Sequence, residues 1–391
     1  MPAPLSGFKL LDLSDGIAGS YAAMLLGDMG AAVVKVEPPA SVGHRRAPTG
    51  LVFQRGKRSL ALDWRTPEGA SVARRLAEAV DVLIEDTRPG TMEGRGLGHQ
   101  ALLQANPRLV YCSLPPWGER GPLRDALGSE ALVAAYSGLM NGQAPARDGP
   151  GLEALPMVSY STAFLAAFGV SAALYVREQH TGRGQRVQVP LLNGSLALQS
   201  SASVWMQGIV RLGQRARTPG GAIPVYRLYR CADDWIFLGC GNPQFWGKLC
   251  IALDRLDLMA DPRFEGAPWG MKVEDFPALS AELEPMFRTK TAAQWLQFLE
   301  DNDIPCAPVQ TREEFALDPQ VLHSQMMVTL QDSDAGPTRM LGVPVKLQET
   351  PGSVGGPAPR VGEHTQQVLA EAGIASQEIA KLRREGVAAQ A

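Results

Sequence analysis

Several features are scarce in this 391-residue chain, and each scarcity excludes something. Cysteine is sparse: Cys112, Cys231, Cys240, Cys250 and Cys306 are scattered, odd in number and form no C-x-x-C pair. That argues against a disulfide framework or a metal site and for reduced thiols. The formal net charge is only -3, which offers nothing to nucleic acid. No apolar run approaches the roughly eighteen residues of a spanning helix, so no membrane partner is expected. The opening MPAPLSGFK lacks the basic and apolar regions of a secretion signal, and a cytoplasmic location is expected. Internal repeats are absent, and so is the G-x-G-x-x-G spacing of dinucleotide sites.

What is present is an ordinary globular composition, 45% hydrophobic, with length for two or three domains. The chain is organised around FKLLDLSDGIAGSYAAMLLGDMGAAVVKVE at 8–37. A short apolar run from Lys9 to Leu13 meets the polar break Ser14-Asp15-Gly16. A helical pattern then runs from Ala18 to Met29, with Ala22, Leu25, Leu26 and Met29 on one face. Gly30 closes it, and a second apolar run follows from Ala32 to Val36. Strand, loop, helix and strand in this order make a βαβ unit. Ligands of open parallel sheets bind beyond the carboxyl ends of the strands. Gly16, Ile17 and Ala18, with their helix N–H groups, are therefore binding candidates.

Beyond it, His44, Arg45, Arg46, Arg55, Lys57 and Arg58 form a basic stretch. Lys57 and Arg58 are candidates for holding phosphates as point charge and fork, or are simply solvated. Thr66-Pro67-Glu68 opens a helix with Thr as N-cap. Strands are expected at 60–63, 82–84 and 109–113, so an α/β domain begins the chain. Helices are expected at 130–140, 161–176 and 196–209. RLGQRARTPGGAI at 211–223 reads as a linker. A hairpin at 226–240 turns on Asp233-Asp234, and helices at 245–253, 278–287 and 291–302 follow. A Pro/Gly-rich linker at 344–359 precedes helices at 365–372 and 377–384. The expected domains are 1–210, 224–325 and a return to the first at 326–391.

Taken in order, the motifs resemble family III CoA-transferases, the CaiB/BaiF family. They include LLDLSDGIAGSYAAMLLGDMGAAVVKVEPP at 10–39, QRGKRSLALD at 54–63, DVLIEDTRPG at 81–90 and NPRLVYCSL at 106–114. SGLM at 137–140, TGRGQRVQV at 181–189, IPCAPV at 304–309, DPQV at 318–321 and GEHT at 362–365 continue the series. The resemblance runs nearly end to end. It implies a Rossmann-like large domain built from both chain ends, a smaller α+β domain, and two interlocked subunits. It also implies coenzyme A or a CoA ester as substrate, with no tightly bound cofactor. The family's transferases use an Asp that attacks an acyl-CoA and forms an acyl-aspartyl anhydride. The family's 2-methylacyl-CoA racemases pair that carboxylate with a His.

The chain departs from this pattern. Counting back from Gly169 in FLAAFGVSAAL, the family's Gly-Asp pair falls on Val158-Ser159. Ser159 thus stands where the resemblance puts the nucleophile, and Ser129 where it puts the racemase His. Glu130 keeps a carboxylate, as a substitute nucleophile or base, or as a partner for a helix N-terminus or an Arg. Asp86 and Thr87 replace Asn-Phe of the implied CoA loop, removing a donor and a stacking face. Arg95 stands one place beyond an Arg of the family. These departures lead to the expectation of a subunit without its own catalytic Asp, supporting an active paralogue in a heterodimer. The alternatives are an active acyl-CoA/carboxylate CoA-transferase or related acyl-CoA enzyme using Glu130 or another route, or a CoA-ester binding protein; the expected assembly is a homodimer or a heterodimer with a paralogous subunit.

Overall fold

The computed structural model describes residues 1–42, 47–142, 150–152, 154–200, 207 and 220–391. They fall into two compact units. Residues within 1–139, 153–204 and 319–391 form the larger, and those within 140–152 and 205–318 the smaller.

The larger unit is an α/β layer structure. Its strands are β1 (Lys9–Asp12), β2 (Ala32–Glu37), β3 (Arg58–Leu62), β4 (Val82–Glu85), β5 (Val110–Ser113) and β6 (Arg186–Gln188). All pair in parallel, in the order β3-β2-β1-β4-β5-β6. The switch in strand order falls between β1 and β4, where Leu10 lies beside Val82 and Asp12 beside Ile84. Buried on both faces, these strands read as continuous apolar runs rather than alternating ones. Successive residues point to opposite layers. Leu10, Val33, Val82, Ile84 and Cys112 pack with helices α1 (Ile17–Asp28) and α4 (Met157–Val176). Leu11, Leu60, Leu62, Leu83 and Tyr111 face α2 (Pro67–Glu78) and the C-terminal helices. Helix α2 starts as read, with Thr66 Oγ1 accepting from Gly69 N. The short α3 (Glu130–Tyr136) and α5 (Leu191–Leu198) lie against α4. By length and composition α4 with its π-helical extension could cross a bilayer, but Ala163, Ala166, Val170 and Ala173 are core residues.

Helix α4 begins at Met157, earlier than the apolar pattern suggested, so Ser159 lies in its first turn. Pro156 offers no capping side chain, and the cap comes from another segment, so the start is hidden in the sequence. Helix α5 is likewise placed earlier, at 191–198, and most of 199–209 lies outside the described residues, as do 211–219 of the expected linker.

In the smaller unit β7 (Gly221–Ile223), β8 (Tyr226–Arg230), β9 (Trp235–Gly239) and β10 (Cys306–Pro308) form an antiparallel sheet in the order β10-β9-β8-β7. The last residues of the expected linker are therefore a strand. Helices α6 (Pro243–Ala252), α7 (Phe276–Phe287) and α8 (Ala292–Asp301) supply Trp246, Leu283, Phe287 and Trp295 to its core.

On the return to the larger unit, β11 (Met327–Asp332) and β12 (Gly336–Leu341) form a hairpin. Irregular chain then leads to α9 (Thr365–Glu371) and α10 (Ser376–Arg384), and β13 (Ala388–Ala389) pairs antiparallel with β3 at the sheet edge. His364 Nδ1 accepts from Ser59 N at 3.2 Å, tying α9 to β3.

Charge is buried under the sheet's switch point. Asp12 is inaccessible to solvent and accepts from Lys35 Nζ at 3.1 Å, Lys57 Nζ at 2.9 Å and Ser14 Oγ at 2.5 Å. Burial pushes its carboxyl up, but the two ammonium groups and the Ser14 bond outweigh that and hold it well below the usual range. Burial lowers Lys57 to about 8 against the pull of Asp12. Removing one partner of a buried ion pair strands the others in low dielectric. Asp12→Asn is therefore expected to cost about 3–5 kcal/mol of unfolding free energy, measured by urea titration. A loss below about 1 kcal/mol would show that the lysines find other partners.

Candidate functional site

Two helix N-termini of the larger unit bring together Gly16 with Asp86 and Ser159 with Glu130. The first is that of α1, at the crevice between β1 and β4. Its N-cap is Gly16, which has no side chain to satisfy the free N–H groups. Asp86, immediately after β4, reaches across the crevice to the two residues that lead into the helix. Its Oδ1 accepts from Asp15 N at 2.9 Å and its Oδ2 from Gly16 N at 2.6 Å. A Cβ on residue 16 would lie 2.8 Å from Oδ2, so the approach requires glycine. Burial raises the Asp86 carboxyl above its ordinary value, opposed by the two backbone bonds. The loop is held from behind by Glu85, whose Oε2 accepts from Thr87 N at 2.8 Å and Thr87 Oγ1 at 2.6 Å. Burial pushes Glu85 up to about 7 against those bonds.

Gly16 is thus brought to the crevice, but its N–H is already bonded to a carboxylate. Ile17 packs partly on the core and Ala18 is buried in it. Lys57 was a phosphate candidate, and the structure corrects this. Its Nζ donates to Asp12 Oδ2, Ser20 O and Gln54 Oε1, each at 2.9 Å, and an ammonium has no fourth donor. Arg58 makes a two-pronged pair with Glu371, at 2.7 and 3.1 Å, so its fork faces α9. Arg95 is exposed in the short turn Glu93–Arg95. His44, Arg45 and Arg46 lie outside the described residues.

The second N-terminus is that of α4. Its N-cap, Pro156, offers no side-chain bond. The carboxylate of Glu130, first residue of α3, takes that role. Oε1 accepts from Val158 N at 3.0 Å, and Oε2 accepts from Ser159 N at 2.7 Å and Ser159 Oγ at 2.6 Å. Val158 and Ser159 are buried, whereas Glu130 is half-buried. Glu130 therefore satisfies the helix-partner reading and, in the same contact, touches Ser159, the residue the resemblance places at the nucleophile's position. The nearby sequence 155–165 carries no group for Ser159, and the fold brings one from 29 residues away.

The surroundings hold this geometry closely. A Cβ on residue 128 would come within 2.2 Å of Pro116 Cβ, so Gly128 lets the Pro115-Pro116-Trp117 turn press against the start of α3. Pro115 O and Pro116 O accept from Leu191 N and Leu192 N at the head of α5. Trp117 Nε1 donates to Leu127 O at 3.2 Å. On the other side, a Cβ on residue 194 would sit 2.1 Å from Thr162 Oγ1, so Gly194 permits close packing of α5 on α4. Ser161 Oγ donates to Gly194 O at 3.0 Å.

Sequence reasoning missed the Asp12–Lys35–Lys57 cluster and the reach of Asp86 to α1. A signal for the first was present: Asp12 and Lys35 each interrupt an apolar strand buried on both faces, and such charges need partners. Nothing in the sequence indicated the second.

Known proteins give a consistent comparison. The model of CoA-transferase family III matches residues 5–365. Human succinyl-CoA:glutarate CoA-transferase is 29% identical over 94% of this chain and 86% of its own length. Human alpha-methylacyl-CoA racemase is 31% identical over 98% of this chain and 97% of its own. The crystal structure of a CAIB/BAIF family protein from Brucella suis superposes with a TM-score of 0.81 at 27% identity, covering 95% of this chain and 100% of that one.

An internal carboxylate on the α1 N-terminus competes with any phosphate that would bind there. Asp86→Asn removes the charge and retains one acceptor. It is expected to tighten CoA binding about tenfold, read by calorimetry. Unchanged or weaker affinity in a folded variant would exclude competition at α1.

Proposed function

The chain belongs to CoA-transferase family III, and we propose that it is an active CoA-transferase, moving coenzyme A from an acyl-CoA to a free carboxylate with Glu130 as the nucleophile. The observation that carries this reading is the Glu130 carboxylate, held at the head of α4 by Val158 N, Ser159 N and Ser159 Oγ. A carboxylate attacks a thioester without a separate base and gives an anhydride, reactive enough to pass its acyl group back to a thiolate. A serine ester would be too unreactive for that return. A carboxylate has about four acceptor positions, and the three donors among the described residues leave Glu130 one. The helix N-terminus stabilises the anion and fixes its direction.

The expectation of a subunit lacking its own nucleophile loses its premise. Its basis was the absence of a carboxylate at position 159, and Glu130 supplies one within hydrogen-bond distance of that residue. The names of the relatives are those of a transferase and a racemase. Racemase chemistry is disfavoured, because Ser129 occupies the place of the His and spends its Oγ as the N-cap of α3. The substrates in this proposal are CoA esters, and the setting is the cytoplasm, in keeping with five free cysteines.

The test is CoA exchange between a panel of CoA esters and acids, followed by mass spectrometry on the purified chain. Wild type is expected to turn over, and Glu130→Gln to lose at least about a thousandfold in kcat. Turnover that survives in Glu130→Gln would overturn the assignment of the nucleophile.

We also assign the active form as a homodimer. Phe164, Phe168 and Tyr175 lie along one stripe of α4 and are 50%, 73% and 62% exposed. Phe164 and Phe168 border an apolar groove of about 420 Å³ with Leu25, Met29, Val345 and Leu347. Such contiguous apolar surface favours a protein partner, and the resemblance implies an interlocked second copy. Sedimentation equilibrium at micromolar concentration should give a dimer; a well-folded monomer would exclude it.

A further inference from the structure

We propose that Ser159 decides which oxygen of Glu130 reacts: it pins Oε2 as the permanent carbonyl oxygen and serves as the oxyanion site for the Glu130 carbonyl carbon, Cδ. This rests on the reading of Glu130 as the nucleophile. The two oxygens of Glu130 are not equivalent. Oε2 accepts two donors from one residue, Ser159 N at 2.7 Å and Ser159 Oγ at 2.6 Å. Among the described residues Oε1 accepts from Val158 N alone, at 3.0 Å, which leaves it a further acceptor position. Ser159 is buried in the first turn of a twenty-residue helix, so both of its donors are fixed in direction. Preorganised donors aimed at an oxygen that gains charge are what an oxyanion site consists of.

The chemistry follows from that asymmetry. Oε1 attacks the thioester carbonyl; the O–C bond forms, the C–S bond breaks, and CoA thiolate leaves with its electron pair. The thiolate then attacks Glu130 Cδ, and charge collects on Oε2 between the Ser159 N–H and O–H. The Cδ–S bond forms, the Cδ–Oε1 bond breaks, and the donor departs as a carboxylate carrying Oε1 away. The acceptor carboxylate attacks Cδ and expels the thiolate, with charge again on Oε2. Finally the thiolate attacks the acceptor's carbonyl carbon and leaves as the new thioester. One acceptor oxygen stays on Glu130 in the place of Oε1. No proton is gained or lost, and Oε2 never leaves the enzyme.

Each turnover therefore replaces one oxygen of Glu130, always the same one. The experiment incubates the full chain with acetyl-CoA, succinyl-CoA and benzoyl-CoA, each with its own acid carrying heavy oxygen at both carboxyl positions. The peptide bearing Glu130 is then weighed after many turnovers. Wild type is expected to carry a single heavy oxygen. Ser159→Ala frees the carboxylate to rotate and should carry two, with kcat reduced about a hundredfold and KM changed less than about threefold. Ser159→Thr keeps the hydroxyl and should retain the single label. Two heavy oxygens in wild type, or an Ala variant that behaves as wild type, would overturn the role of Ser159 while leaving Glu130 as nucleophile. No label on Glu130 would overturn the nucleophile itself, and this inference with it. Acyl mass on Ser159 in place of label on Glu130 would identify a serine ester with Glu130 as base, and refute both.

Discussion

The free N–H groups at the head of a helix must be satisfied, and two principal helices of the large unit cannot do it themselves. The N-cap of α1 is Gly16 and that of α4 is Pro156, and neither residue has a side chain able to accept. A carboxylate from a distant segment meets each helix start: Asp86 binds Asp15 N and Gly16 N just ahead of α1, and Glu130 binds Val158 N and Ser159 N in the first turn of α4. Much of the surrounding structure serves those two contacts. Gly16 allows Asp86 to approach, and Gly128 allows the proline turn to brace the start of α3. Glu85 and Thr87 steady the loop that carries Asp86.

The two capped helices have opposite consequences. At α1 the carboxylate occupies a crevice that parallel sheets usually leave for a ligand. At α4 it leaves an oxygen with spare capacity beside a fixed hydroxyl. A carboxylate that caps a helix can still present a lone pair, so the helix-partner reading of Glu130 and its proposed role as nucleophile do not exclude one another.

Under the sheet, Asp12, Lys35 and Lys57 account for charges that would otherwise be puzzling in core strands. The bonds of Lys57 to Asp12, Ser20 O and Gln54 explain why it does not reach solvent. A basic residue counted from the sequence as a phosphate ligand was recruited by the core, because Asp12 has no access to water and required a partner.

By itself the sequence determined the local elements of the larger unit and the family. The periodicities at 9–37, the Thr66-Pro67 helix start and the ordered motifs are contained in neighbouring residues, so they were legible without a fold. The hairpin on Asp233-Asp234 was legible for the same reason. What only the tertiary structure decided is who satisfies whom. Ser159 and Glu130 are 29 residues apart, and Gly16 and Asp86 are 70 apart. Their meetings depend on strand order, on which layer each helix takes, and on glycines at points of close approach. Side-chain hydrogen bonds act over about 3 Å. No sequence pattern specifies a distance that short between segments that far apart; packing of the two layers does.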